Sequence, residues 1–327
     1  MWLPYLNSIE HLGGEKYRFS YNGGVEECEL SEIHSILIYG DYGSLNTAIL
    51  ESIVRKGIPI ILHKRNVAPP IYICIPFRHA KHDLLTKQIL ARSSPARCAY
   101  IARQILRAKF KSMSWLVSPP TIPAKVFSLN ELRLIEAKHS KTYWRRFFRE
   151  LGLKAWRRNR SNIQASLDAC SKFLIGIILR WVTYHHLSPY HGFLHASPEY
   201  PALCYDLIEP YRGEFDKLLF KMFSKTKKLE TNKTLVGAAI NTLKEALNEK
   251  VYCGLTRQVV TRHELLHGVV LSLRCYLLGQ MSRFLVPTVD KPNGGRPRKV
   301  AFRLYGRHAG RTNFWPEVKK LVSQTES

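Results

Sequence analysis

The sequence predicts an α+β protein: a small N-terminal β-rich domain followed by a larger all-α domain. Two observations carry this. Apolar residues over positions 1–82 fall in short β-branched runs bounded by glycine or charge, and from residue 83 they follow helical spacing. Charge changes in the same region: residues 1–50 hold 2 basic and 7 acidic side chains, whereas residues 51–200 hold 26 basic and 7 acidic. At 327 residues the chain also exceeds the usual size of one domain.

Taken in order, Lys16–Tyr21 and Val25–Leu30 flank Asn22-Gly23-Gly24, a hairpin signal. Ser35–Tyr39 and Ile58–Leu62 are further strand candidates. Between them Ser44–Lys56 predicts a short helix ended by Gly57. Pro69 and Pro70 interrupt the pattern. Asp83–Met113 reads as one long helix, with apolar residues at 84, 85, 89, 90, 101, 105 and 106. Ser118-Pro119-Pro120 through Pro123 is a linker. Ser128 then caps a helix that runs to Leu151-Gly152, with Glu131 at the capping-box position. Further helices are predicted over Asn162–Tyr184, Pro201–Lys221, Thr231–Glu249 and Arg257–Phe284. The expected division is a β-rich domain at 1–82, a helical domain at 83–289 and a basic Gly/Pro/Arg-rich tail at 290–327.

The balance of 50 Lys+Arg against 25 Asp+Glu gives a net charge of +25. Self-repulsion of that size suits a polyanionic partner, with nucleic acid ahead of an anionic membrane surface. The longest apolar run, Phe173–Leu179, stops at Arg180, far short of a membrane span. The N-terminus lacks a basic segment followed by an apolar one, so no signal peptide is expected. The 7 cysteines are scattered with no Cys-x-x-Cys pair, which fits reduced thiols and a cytoplasmic location.

Several residues could carry chemistry. On the helix Leu129–Leu151, steps of three and four give Leu129, Leu132, Glu136, His139 or Ser140, Tyr143 and Phe147. Glu136 thus sits on the apolar stripe, where a carboxylate needs a partner: either a nearby arginine or a functional ligand. Arg133, Lys138, Lys141, Arg145 and Arg149 lie on the opposite face, with Arg146 beside them. Further on, His195 precedes Asp206 and Glu209, which are three apart and share a helix face. A histidine and carboxylates suit a hard divalent ion, Mg²⁺ or Mn²⁺, the imidazole favouring Mn²⁺. The bland alternative is a packing histidine, and an Asp206 that caps a helix or pairs with Arg212.

Two other motifs are decoys. His263-Glu264-Leu265-Leu266-His267 has the His-Glu-x-x-His pattern of zinc proteases. No third histidine follows at the required spacing, and between Glu264 and Glu317 the only carboxylate is Asp290. Gly295-Arg296-Pro297 is similar to the core of an AT-hook, but Gly294 stands where that motif usually has arginine. A basic tail touching phosphates through Arg296 and Arg298 is the simpler reading.

The string from Leu187 to His195, Leu-Ser-Pro-Tyr-His-Gly-Phe-Leu-His, followed by Tyr205-Asp-Leu-Ile-Glu-Pro-Tyr-Arg212, resembles the CRISPR-associated adaptation integrase family, the spacer-acquisition endonucleases. Upstream, Glu136 with Tyr143-Trp144 matches a third segment of that family, and Asn162 matches an asparagine opening the intervening helix. The resemblance runs from about Ser35 to Pro287. The sequence departs from the family at Ile135-Glu136-Ala137-Lys138, where small glycines are common, and at Ser166–Cys170.

The resemblance implies a small N-terminal β-domain used for dimerisation and a larger helical catalytic domain. It implies that Glu136, His195 and Glu209 are catalytic metal ligands for Mg²⁺ or Mn²⁺, with Asp206 an adjacent acidic candidate ligand. The implied reaction is attack by the 3′-hydroxyl of an incoming DNA fragment on a phosphate at the edge of a CRISPR repeat. Joining two strands needs two sites, hence a homodimer or dimer of dimers, which in this family is usually bridged by a small ferredoxin-like adaptation subunit. Double-stranded DNA is expected to cross the helical domain along Lys138, Lys141, Arg145, Arg146 and Arg149. The alternatives are a transposon-borne integrase of the same superfamily and a catalytically silent DNA-binding scaffold.

Overall fold

Strands form where aromatic residues alternate with polar ones, as at Tyr17, Phe19 and Tyr21. The computed structural model describes residues 1–40, 43–64, 69–74, 84–123, 128–153, 162–226 and 234–292. After β1 (Trp2–Pro4), strands β2 (Leu6–Gly13), β3 (Lys16–Tyr21) and β4 (Gly24–Glu29) pair as an antiparallel sheet in the order β2-β3-β4. The expected hairpin is β3–β4, with Tyr21 opposite Gly24, and Gly24 takes φ +135°, which favours glycine.

Next come β5 (Ile36–Tyr39), α1 (Thr47–Arg55), β6 (Ile60–His63) and β7 (Ile71–Ile73). They complete a second sheet of order β1-β5-β6-β7, in which only β7 runs antiparallel to its neighbour. Asn46 caps α1 by accepting from the Ala48 N–H at 2.8 Å, and Gly57, at φ +73°, lets the chain turn back into β6. All four residues of β5 are buried because the sheet is covered on both faces. Leu3, Ile36, Ile38 and Ile60 join Leu6, Phe19 and Ile53 in one core. Trp2, Leu37, Tyr39 and Ile61 point the other way and join the helical core.

The helical part contains α2 (Leu84–Ser93), α3 (Pro95–Ser112), α4 (Leu129–Glu150), α5 (Asn162–Tyr184), α6 (Ala202–Lys225), α7 (Leu235–Asn248) and α8 (Arg262–Leu277). Two expectations are corrected here. The single helix over 83–113 is two, because Ser94 caps α3 and Pro95 occupies its first turn. The helical part is also not purely α: β8 (Lys250–Cys253) and β9 (Gln258–Thr261) form a hairpin where a helix was expected to begin at Arg257. Val251, Val259 and Val260 favour the strand, and α8 starts only after Thr261 caps it.

α5 is central and buried on nearly every side between Ile163 and Val182. It lies against the second sheet at Gly176, where a Cβ would stand 2.8 Å from Ile61 Cδ1 and 2.9 Å from Ser35 Oγ. Arg180 on the same helix donates to the Ile33 carbonyl. No described helix is long and apolar enough to cross a membrane, and all seven cysteines are free thiols.

Candidate active site

The site begins with a loop that side chains hold in place. Between α5 and α6, the chain from Leu187 to Pro201 has no regular structure, so its backbone groups need other partners. Buried Gln88 on α2 supplies several: its amide donates to the carbonyls of Ser188 (3.0 Å) and His191 (2.8 Å), and its Oε1 accepts from the Ser188 N–H (2.9 Å). Arg133 on α4 donates twice to the Leu194 carbonyl, at 2.9 and 2.7 Å.

Asp206, in the first turns of α6 and fully buried, completes the cradle. Its Oδ2 accepts the N–H groups of Phe193 (2.5 Å) and Leu194 (3.0 Å), and its Oδ1 accepts the His195 N–H (3.0 Å) and lies 2.7 Å from His195 Nδ1. Gly192 makes room for this: a Cβ there would stand 2.6 Å from the His195 carbonyl and 2.9 Å from Asp206 Oδ2. Both Asp206 oxygens are thus occupied by hydrogen bonds, so the carboxylate orients the histidine and is not presented as a ligand. His195 is held by Nδ1 and presents Nε2 outward.

Glu136 and Glu209 meet at the other end of the site, on either side of a lysine. Lys109, on α3 and only 4% exposed, has its ammonium 2.5 Å from Glu136 Oε1 and 2.6 Å from Glu209 Oε2. Ser140 donates to the same Glu136 oxygen at 2.8 Å. Arg212 pairs with Glu209 Oε1 at 3.3 Å, not with Asp206, and donates to Ser171 Oγ at 2.9 Å. The close crossing of α3 and α6 explains the geometry. A Cβ on Gly213 would stand 2.3 Å from the Ser112 carbonyl carbon, and the Gly213 N–H donates to Ser112 Oγ at 3.2 Å. Lys109 lies one turn before Ser112 and Glu209 one turn before Gly213, so this crossing brings them face to face.

Charge interactions outweigh burial here. Burial raises the Glu209 carboxyl, yet Arg212, Lys109 and His195 together hold it down at about 2. Burial acts the same way on Glu136, and Lys109 and Ser140 reverse it, so its pKa is lowered. Burial depresses His195, but the Asp206 hydrogen bond and charge, with Glu209, carry it above the ordinary histidine value.

The donor set fits a hard divalent ion. Two carboxylates arrive from α4 and α6, with an imidazole beside them. Buried Glu209 Oε2 lies against the Lys109 ammonium at 2.6 Å. Among those residues, no three His, Cys, Asp or Glu side chains already surround a common point as a metal cage. The position between the two carboxylates is taken by Lys109.

Lys138, Lys141, Arg145, Arg146 and Arg149 are all exposed on α4, the helix that carries Glu136. Arg296 and Arg298 lie outside the described residues. The zinc-protease pattern has a different explanation. Glu264 accepts from the Thr261 N–H at 2.6 Å, closing a capping box at the start of α8, and His267 is buried and stacked on Trp181 with centroids 3.9 Å apart. Tyr143 and Trp144 are packing residues of the same core, with Tyr143 Oη 3.2 Å from Asp216. Sequence reasoning missed Lys109 and Gln88, and it put Arg133 on the basic outer face of α4, whereas Arg133 holds the Leu194 carbonyl. Each is one of many polar residues on its helix, and only the tertiary crossing gives it a role.

The family model described as CRISPR associated protein Cas1 matches residues 9–119 and 122–251. Among solved structures, the chain is similar to a casposase bound to its integration product, with TM-score 0.71 and 19% identity over 87% of this chain and 92% of that one. It is similar to a Cas1 protein from Thermotoga maritima, with TM-score 0.69 and 18% identity over 85% and 97% of the two chains. A chain of a Cas6-RT-Cas1–Cas2 complex matches with TM-score 0.62 and 14% identity, over 88% of this chain but 36% of that longer one. No curated protein sequence matches. At these identities the solved structures share the fold, and the family model covers well over half of the sequence. The chain belongs to the CRISPR associated protein Cas1 family.

Proposed function

We propose that this protein is a metal-dependent DNA integrase and endonuclease of CRISPR adaptation, inserting DNA fragments at the edges of repeats. The observation that carries the reading is the convergence of Glu136 and Glu209 on one buried cation, beside a histidine that Asp206 orients. Glu136, His195 and Glu209 would hold Mg²⁺ or Mn²⁺, which when bound activates the attacking hydroxyl and offsets charge on the phosphate. In the reaction the 3′-oxygen of the incoming strand bonds to the target phosphorus as the P–O bond to the target's own 3′-oxygen breaks. The attacking hydroxyl loses its proton and the departing oxygen gains one. The chain's own contribution is positional: Asp206 keeps a proton on His195 Nδ1 and so leaves the Nε2 lone pair for the ion.

DNA would reach the site along α4, contacting Lys138, Lys141, Arg145, Arg146 and Arg149, with Arg296 and Arg298 as further phosphate contacts. The domain division at residues 82 and 289 belongs to the same proposal, and a core made wholly of residues before 82 supports its first boundary, although the other face of that sheet joins the helical core. Two strand joinings require at least a homodimer. The Cas6-RT-Cas1–Cas2 match supports a second Cas protein as partner, which in this reading is the small ferredoxin-like adaptation subunit.

The casposase match favours one second reading, a transposon-borne integrase. Strand transfer of a labelled duplex into plasmids carrying either a leader–repeat or terminal inverted repeats distinguishes the two. Under the main reading the leader–repeat is preferred, and chelator abolishes transfer. Glu136→Ala, His195→Ala and Glu209→Ala each abolish it while DNA binding remains. Full transfer by either Glu136→Ala or His195→Ala removes the catalytic assignment and leaves a DNA-binding scaffold.

A further inference from the structure

Lys109 has no place in the chemistry above, yet it occupies the centre of the site. Its side chain is almost completely buried, and a buried ammonium is tolerable only where carboxylates surround it. Here two do, and they come from different helices: Glu136 on α4 at 2.5 Å and Glu209 on α6 at 2.6 Å. Arg212 adds a second cation on the far oxygen of Glu209. Arg212 is offset by Asp216 and Asp168 as well, whereas Lys109 is held by Glu136 and Glu209 in the place between them. A divalent ion added while Lys109 stays there would put two more positive charges beside its ammonium in a region of low dielectric.

We propose that Lys109 is a built-in counter-cation that holds the acidic pair closed and competes with the divalent ion for it, so that metal loading depends on a phosphate arriving with the DNA. The proposal rests on Glu136 and Glu209 being metal ligands. For the ion to bind, the ammonium must withdraw from at least one carboxylate. If the withdrawn state is a minor one in the free protein, apparent metal affinity falls by its population. A DNA phosphate supplies the missing negative charge and gives the displaced ammonium a new partner. Metal and DNA then bind cooperatively, and each raises the affinity of the other by the same factor. The site would stay largely unloaded until a strand is present, which limits stray cleavage.

The test is direct Mn²⁺ binding, by calorimetry and by the spectroscopic signal of free Mn²⁺, on the full chain with and without a short duplex. Wild type is expected to bind weakly alone and more tightly with DNA. Lys109→Met and Lys109→Gln are expected to bind Mn²⁺ roughly 10- to 100-fold more tightly than wild type without DNA, because the competing charge is gone. The dependence on DNA should shrink by the same factor. Lys109→Arg, which keeps the charge, should behave like wild type.

Equal or weaker Mn²⁺ affinity in both neutral variants overturns the proposal. The variants leave two carboxylates without their shared cation, so they will be less stable in chelator. Mn²⁺ should replace the missing charge and raise their melting temperature more than it raises that of wild type. Variants that remain unfolded in excess Mn²⁺ count equally against the idea. Failure of the underlying metal assignment looks different: Glu209→Gln, in either background, would then leave Mn²⁺ binding unchanged.

Discussion

His195 Nδ1 lies 2.7 Å from Asp206 Oδ1, and that one hydrogen bond decides which face of the imidazole is available. Oδ1 also accepts the His195 N–H, so it is already an acceptor and the ring nitrogen beside it is the donor. Asp206→Asn replaces one oxygen with a donor, which then faces backbone N–H groups or the ring N–H. The expected outcome is a fall in strand transfer of about 10- to 100-fold. Stability should also fall by roughly 1–3 kcal/mol, from buried donors left unpaired. Single-turnover strand transfer and urea unfolding on the same preparation measure the two effects. A variant with unchanged stability and transfer would show that the loop does not depend on this carboxylate.

The path of the DNA is tested by salt. Lys138, Lys141, Arg145 and Arg149 are exposed on α4, where Arg149 also pairs with Glu150 at 3.4 Å, and in β3 Lys16 and Arg18 both pair with Glu27, at 3.2 and 2.9 Å. Arg145→Ala with Arg149→Ala should weaken binding to all DNA sequences about equally. It should flatten the log–log salt dependence by roughly one unit for each phosphate no longer neutralised. Lys16→Ala with Arg18→Ala should change neither. A greater flattening in the second pair would make the β-rich region the DNA platform.

Four histidines make stability depend on pH. His34, His185, His263 and His267 gather around Trp181, and His185 Nε2 lies 2.7 Å from His267 Nε2. Burial, the largest cause in each case, pushes His34 and His267 down to about 3 and His263 to about 4, with His185 also well below its usual value. Unfolded histidines take up protons below about pH 6.5, while these remain neutral in the folded state. Their contribution is therefore complete above pH 6.5 and is lost as pH falls toward 4, by up to about 1.4 kcal/mol per pH unit for each residue. Urea midpoints at pH 7.5 and 5.5 should differ in that direction, and the difference should narrow in His267→Gln. His263→Ala with His267→Ala should destabilise by opening a cavity at the Trp181 stack, yet retain strand transfer at low temperature. Stoichiometric zinc lost in that double variant would instead revive the metalloprotease pattern.

Two glycine substitutions should have opposite signs. Gly213→Ala drives a methyl group into the Ser112 backbone, separates α3 from α6 and should cost about 1–3 kcal/mol. Gly237→Ala, in α7, meets nothing within 4 Å and should stabilise by about 0.5–1 kcal/mol through better helix propensity. Thermal melts compare them. Gly213→Ala should also lower strand transfer, because shifting α6 displaces Glu209 from Glu136 on α4.

Local signals were legible in the sequence and crossings were not. Glu136 stood out as a carboxylate on an apolar stripe, and Gly57, Ser128 and Gly152 marked helix ends correctly. The Ser94-Pro95 break between α2 and α3 was equally visible as a cap followed by proline, but the helical spacing runs through it. β1 could not be read, because three residues carry no period and only pairing with Leu37–Tyr39 makes them a strand. Asp206 and Glu209 share a helix face by spacing, but their carboxylates serve different ends of the site. Nothing in the sequence distinguishes Lys109 from its neighbours, because its burial follows from the meeting of Ser112 and Gly213, 101 residues apart.

The two-sided burial of the second sheet also sets an order of events during synthesis. Leu3, Ile36, Ile38 and Ile60 can find their core as soon as the first strands and α1 exist, since every partner is close in sequence. Trp2, Leu37, Tyr39 and Ile61 cannot, because the face they form is covered by helices made later, α5 among them. A nascent chain that folds its first strands before α5 emerges would carry a sheet with one bare aromatic and aliphatic face. The same face would make a fragment ending near residue 82 self-associate in the test tube. One side of the sheet is thus completed by residues 1–73 alone, while its other side waits for helices made after it.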